Sequence, residues 1–422
     1  MNTLFQNARI LLPGGDSLHG ALGVSGERIA FAGTAPAHFS AERIIDCEGN
    51  ILMPGLVNTH THLPMNLFRS MADDMPLHEW LETRIYPLEE QLDEELCYWG
   101  SLLAAAEMIR GGVSACNDMY FHSDAIAQAL LDSGMRALVA PCIVSPFTEE
   151  KEQRNRAFFA RWQGAGGDRI RMAVAAHAEY TCDNDTLSAC GRLAQELGVP
   201  FHIHVSETFQ EHEACKERHD GKTPVQLLDS LGLLDQALLA HCVHVEMDDI
   251  ARIATKGAVV LHNPQSNLKL GSGIAPIPAM LLHGCPIALG TDGAASNNNL
   301  DMFEEMRLAA TLHKGVTHNA TVLDANQALR MATETGARAL GWEAGVLQAG
   351  SLADIIMVDA HQPNMLPGHH PGKDIVYSAS CKDVLLNMVN GQVIYERGHY
   401  FGFDYEALRS RVAAIAEQLE GI

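Results

Sequence analysis

The sequence predicts an α/β fold, a (β/α)8 TIM barrel carrying a small β-sandwich domain built from both termini. Three observations predict it: eight short apolar or β-branched runs alternate with helix-length segments, polar residues collect at the ends of those runs, and Gly-punctuated strand-like pieces are confined to the two ends of the chain. The runs cover residues 51–57, 113–117, 136–144, 170–177, 200–207, 237–244, 258–263 and 286–292. Between the first two, Leu92, Leu96, Trp99, Leu103 and Ala106 recur at helical spacing before Gly111 and Gly112, which predicts an amphipathic helix with a glycine stop. Residues 21–24 and 28–32 read as strands near the start, and 350–358 and 389–395 near the end, the last with an Asn390-Gly391 hairpin turn. The expected division is residues 1–53 plus 350–422 as a composite β-domain, and 54–349 as the barrel.

A chain of 422 residues with 47% hydrophobic content can bury a large core. Its 52 acidic against 29 basic residues give a formal charge of -23, which repels a polyphosphate backbone, so nucleic acid is excluded as a partner. The 10 cysteines contain no C-x-x-C pair, the pattern of reduced thiols in a cytoplasmic protein. No basic segment followed by an apolar run opens the chain, and no apolar stretch approaches the roughly 18 residues of a membrane span. The expected partner is a small molecule.

In a barrel the working residues sit at the C-terminal ends of the strands. The first run leads into His60-Thr61-His62, whose i and i+2 side chains project from one face and can reach one metal ion. Taken alone, the pair is equally readable as ordinary turn histidines. The fifth run ends in His202-Ile203-His204, the sixth in His241-Cys242-Val243-His244, and the eighth in Thr291-Asp292. Histidines and an aspartate at matching ends of four strands are hard to assemble by chance. His202, out of phase with the pocket face, reads as a packing histidine, and His244 as a residue beyond its strand. Glu207 follows His204 by three residues, near enough to move a proton between an activated water and a leaving group. The plainer reading is an acid opening the next helix.

The stretches 54–62, 240–244, 262–271 and 290–298 resemble the amidohydrolase superfamily, and within it the 5'-methylthioadenosine/S-adenosylhomocysteine deaminases. The resemblance implies that His60, His62, His204 and Asp292 bind one divalent metal ion, zinc by preference, with Glu207, His241 and Asp292 as the catalytic groups. His177 stands where two-metal relatives carry a bridging lysine, so a single ion is implied. Trp80, Glu89, His177, Glu207 and Ser296 are implied substrate contacts, Glu89 receiving ribose hydroxyls. A tryptophan in such a segment is as readily a core residue. The implied reaction adds a metal-activated water to C6 of an adenine nucleoside. Asp292 takes its proton, Glu207 protonates N1, His241 steadies the charge on oxygen, and ammonia leaves. The family is also compatible with a homo-oligomer.

Two departures bear on the substrate. Pro141 and Lys151 stand near positions where members acting on S-adenosylhomocysteine carry arginines, which counts against an amino-acid carboxylate. Glu179 replaces a usual proline and is expected to add charge close to the pocket. The rival readings are hydrolysis of another ring, guanine-type, pterin or triazine, and a metal-binding scaffold without catalysis. A cytidine-deaminase-type site would need a P-C-x-x-C pair, which the sequence lacks.

Overall fold

A computed structural model describes residues 1–419. Eight parallel strands form the barrel in chain order: Leu56–Thr61, Val113–Tyr120, Arg136–Ile143, Val174–Ala178, Phe201–Val205, Leu238–His241, Val259–His262 and Ile287–Leu289. The seam between first and last is joined by Thr59 Oγ1 donating to the Leu289 carbonyl at 2.8 Å and Asp292 N donating to the His60 carbonyl at 2.9 Å. Small and branched side chains fill the ring, among them Val57, Ala115, Leu138, Ala175, Leu238, Ala240, Leu261 and Ala288, with Leu340 and Trp342 in the same cluster. Helices cover the outside, because a parallel strand buried on both faces needs apolar cover on both.

The first predicted strand is in fact two. Residues 51–54 leave the barrel and pair in parallel with Asn2–Leu11 and antiparallel with Ile355–Val358, and Gly55 separates them from Leu56–Thr61. The run is apolar throughout, so periodicity could not show where one sheet hands over to the other. The fourth run is also divided: Ile170–Met172 pairs with Arg136–Ile143 at its side, and Val174–Ala178 is the barrel strand that carries His177. Helix Glu94–Arg110 stops at Gly111 as expected, but it starts after Leu92, capped by Asp93 accepting from Leu96 N. Its buried side, however, includes Cys97, Gly100, Ala104, Ala105 and Met108, while Trp99 and Leu103 are only partly buried. The cause is cover from several directions: segment Leu63–Phe68, helix Ser123–Ser133 and helix Tyr405–Leu419 all pack on it, which erases a single apolar stripe.

The second sheet draws on both termini. Its order is His399–Tyr400, Gln392–Glu396, Val384–Val389, Ile355–Val358, Ile51–Pro54, Asn2–Leu11, Ser17–Ser25, Arg28–Gly33, with Arg43–Asp46 also on Asn2–Leu11. It closes over its own core of Phe5, Ile10, Leu22, Ile29, Leu52, Ile355, Leu386 and Met388. Asn390 and Gly391 form the expected hairpin turn, both with positive φ, 52° and 73°. That turn anchors the sheet beneath the barrel. Buried Arg136 donates from Nε to Asp354 Oδ2 at 2.8 Å, and from Nη2 to Asp354 Oδ1 at 3.1 Å and Asn390 Oδ1 at 2.8 Å. Among the described residues, no helix is long and apolar enough to cross a membrane, and all the cysteines are free.

Candidate metal centre and cavity

Seven of the strand ends contribute to one cavity of about 440 Å³, and its polar floor is built from side chains at the ends of the first, fifth, sixth and eighth strands. His62 Nε2 lies 3.1 Å from Asp292 Oδ1 and 3.3 Å from His204 Nε2, and His60 Nε2 lies 3.6 Å from Asp292 Oδ1. The remaining nitrogens are committed elsewhere. His62 Nδ1 donates to the Met119 carbonyl and His204 Nδ1 to the His177 carbonyl, each at 2.6 Å, so both rings turn Nε2 inward. His60 Nδ1 lies 3.2 Å from His202 Nε2, which makes His202 a supporting residue behind the floor. His60 Nε2 is buried without any hydrogen-bond partner. A buried, unpartnered imidazole nitrogen facing a carboxylate and two further inward ring nitrogens fits a divalent cation.

The electrostatics agree. Burial, then the neighbouring histidines, drives His60 and His204 well below the ordinary imidazole value, into the neutral form a ligand must have. Burial acts on His62 in the same sense, but the hydrogen bond and charge of Asp292, with the Met119 carbonyl and Asp118, together outweigh it and lift that ring to about 9. Asp292 is pushed up by burial and, more strongly, down by the histidines, and stays well below the usual carboxylate range. The floor therefore stabilises positive charge. Asp292 leaves the last barrel strand with φ 64°, and its Oδ2 accepts from Ser266 Oγ at 2.6 Å and Ser296 Oγ at 2.8 Å, leaving Oδ1 for the centre.

Glu207 and His241 stand beside this floor, with Oε2 and Nε2 3.8 Å apart. His241 Nδ1 is 2.8 Å from Asn267 Oδ1, and Glu207 Oε1 accepts from Ser272 Oγ at 3.0 Å. Burial raises the Glu207 carboxyl against the pull of His241. Its backbone is held by Glu211, which accepts from the amides of Ser206, Glu207 and Thr208 at 3.0, 2.9 and 3.3 Å. Glu207 thus precedes helix Phe209–Arg218 but faces the cavity, while Glu211 serves that helix's N-terminus.

Of the expected substrate contacts, Trp80, Glu89, His177, Glu207 and Ser296 all line the cavity. Trp80 is also a packed residue, its Nε1 donating to the Ala72 carbonyl at 2.9 Å, so the two readings of it coincide. His177 Nδ1 lies 2.9 Å from Thr181 Oγ1, and burial lowers the ring to about 4. Ser296 spends its hydroxyl within the floor, within reach of Asp292 Oδ2 and the Gly293 carbonyl. Glu179 does not charge the pocket. Its carboxylate turns outward to Arg218 Nη2 at 2.5 Å and His219 Nε2 at 2.8 Å, because those partners on helix Phe209–Arg218 and just beyond it satisfy it there. Lys151 likewise points away, donating to the carbonyls of Val144 and Pro146 at 2.6 and 2.9 Å. His244 lies past its strand and donates Nε2 to the Ser272 carbonyl at 2.7 Å. Ser266, Asn267 and Ser272 carried no role in the sequence reading. The signals were the family-like stretch 262–271, which holds Ser266 and Asn267, and polar residues crowded after the seventh strand, where a barrel places its site.

Fold and floor together define a class, and the chain belongs to it: residues 51–394 match the amidohydrolase family. It is 44% identical over 401 residues to the 5-methylthioadenosine/S-adenosylhomocysteine deaminase of Moorella thermoacetica, covering 93% of this chain and 94% of the relative. It is 45% identical over 385 residues to the 5'-deoxyadenosine deaminase of Methanosarcina mazei, covering 90% and 89%. Among solved structures, an adenosine deaminase from Xanthomonas campestris with bound zinc superposes with a TM-score of 0.95 at 34% identity, over 100% of this chain and 99% of that one.

Proposed function

We propose that the chain is a one-metal aminohydrolase that converts an adenine nucleoside to its hypoxanthine counterpart and ammonia. The observation that carries this reading is the floor: His60, His62, His204 and Asp292 would hold the ion, with a raised carboxyl, Glu207, beside them. The set of nitrogens and one carboxylate oxygen suits zinc, the ion named for the Xanthomonas campestris structure. Held there, such an ion would supply the chemistry of lowering the pKa of water, so that hydroxide is available near neutral pH. The chain's own groups do the rest. Glu207, kept protonated more readily by burial, delivers a proton to N1 as C6 becomes tetrahedral, and Asp292, held ionised, accepts one from the attacking water. His241 faces the oxygen on which charge develops. Glu89, on the cavity wall, receives the ribose hydroxyls.

Much of the remaining wall, including Met65, Leu77, Leu81, Ile85, Met119 and Val144, is apolar, and among the described residues no lysine or arginine lines the cavity. That supports an uncharged 5' substituent over one ending in a carboxylate. The free cysteines support a cytoplasmic setting. Ammonia release by the zinc-loaded protein on 5'-methylthioadenosine, 5'-deoxyadenosine, adenosine, S-adenosylhomocysteine, guanine and a triazine tests the reading. Fast turnover of the first three with S-adenosylhomocysteine lagging is expected. Silence on every adenine compound would overturn it.

A further inference from the structure

The stretch 266–272 offers the centre no ligand, yet it touches each proton-handling group. Ser266 Oγ donates to Asp292 Oδ2, Asn267 Oδ1 faces His241 Nδ1, and Ser272 Oγ donates to Glu207 Oε1. All three residues are buried. Ser272 is held by its backbone. It sits between Gly271 at φ 68° and Gly273 at φ 126°, a conformation that favours glycine on both sides. A Cβ added to Gly273 would meet Val243 Cγ1 at 3.0 Å. The Ser272 carbonyl accepts from His244 Nε2 at 2.7 Å, and Gly273 N donates to the Asn267 carbonyl at 3.2 Å. The hydroxyl has been brought to Glu207 by a loop pinned at each end.

We propose that Ser272 is a positioning residue for Glu207: its hydroxyl fixes Oε1 and leaves Oε2, the oxygen nearer His241, to carry and deliver the proton. The proposal rests on the deaminase reading only in naming the ring nitrogen as the acceptor. Glu211 already holds the backbone amides around Glu207, so the freedom left is rotation of the side chain. Ser272 removes it. The physical effect falls on the transfer step. When the Oε2–H bond breaks and the N–H bond forms, Glu207 gains a full negative charge. A hydrogen bond from Ser272 to a carboxylate is stronger than one to the neutral acid, so it helps most when the proton leaves.

Zinc-loaded Ser272→Ala, Ser272→Cys and Ser272→Thr are compared with the wild type on the substrate it turns over fastest. The alanine and cysteine variants should lose about tenfold to a hundredfold in kcat, the span of a hydrogen bond to a charged group, with KM within about threefold. Metal content should match the wild type, and threonine, which keeps the hydroxyl, should recover most of kcat. Cysteine preserves the side-chain shape and carries the test if alanine disturbs the fold. A kcat within about twofold of wild type in both variants, a rise in KM at unchanged kcat, or a threonine variant no faster than alanine would each overturn the proposal. A wild type active only on guanine or a triazine would sink the proposed substrate, and the same comparison on that ring would still judge Ser272.

Discussion

Replacing Arg136 with methionine strips the guanidinium from the joint between the barrel floor and the terminal sheet. In the native protein Asp354 is buried and accepts two hydrogen bonds from Arg136 and one from Asn390 N at 2.8 Å. After the change only the Asn390 amide remains to it, and Asn390 Oδ1 loses its donor as well. An ionised carboxylate left buried in this way costs about 3–5 kcal/mol, a large share of the roughly 5–15 kcal/mol by which domains are stable. The methionine stem keeps much of the packing against Trp342, over which the guanidinium sits at 5.6 Å, so the loss is mainly electrostatic. The assay is urea unfolding followed by tryptophan fluorescence, and with a slope near 3 kcal/mol/M the midpoint should fall by about 1 M or more. Arg136→Met combined with Asp354→Leu removes both charges and should regain most of the loss, since an apolar pair can replace a buried ion pair at little cost. A single variant within about 1 kcal/mol of wild type, or a double variant no better than the single, would refute this reasoning. Because Arg136 begins its strand and the cavity lies at the opposite end, kcat of the folded variant should be unchanged.

Glu207→Gln should retain wild-type metal content and lose about 10²–10⁴-fold in kcat, as expected when a proton donor is removed; metal analysis beside steady-state kinetics decides it. His60→Ala removes the nitrogen left unpartnered at the floor, and should lower zinc bound per chain after dialysis, read by elemental analysis; full zinc occupancy would show that His60 is no ligand. Burial holds His313 at about 4 in the metal-free protein, so between that value and about 6.5 the unfolded chain binds a proton there that the fold does not, and this residue favours unfolding as pH falls; Glu211 and Asp118, raised chiefly by burial to about 7 and about 6, act in the opposite sense. Urea midpoints of wild type and His313→Gln across that window isolate it: the midpoint of the variant relative to wild type should rise as pH falls from about 6.5 to about 4, and a constant difference would show that His313 does not contribute.

What could be read from the sequence was local. His60 and His62 share a face because strand side chains alternate, and His204, His241 and Asp292 mark strand ends by where the apolar runs stop. The Asn390-Gly391 turn declares itself by composition. What stayed hidden depends on partners far along the chain. Residues 51–54 go to the terminal sheet because Ile355–Val358 offers them an edge, a pairing across some three hundred residues that no window contains. Glu179 turns away from the cavity because Arg218 and His219 arrive from another unit of the barrel. Ser272 reaches Glu207 across a separation of 65 residues, and a serine in a glycine-rich turn gives no sign of that.

The seam of the barrel has a consequence for the order of events during folding. His60 and His62 come from the first strand and Asp292 from just beyond the last, and the Asp292 amide bonds the His60 carbonyl across the join. A nascent chain exposes both histidines after some sixty residues, yet it cannot assemble the whole donor set until residue 292 has been placed. An ion held as proposed would thus be a late arrival, and its binding energy would act as a rivet on the edge where the ring would otherwise open.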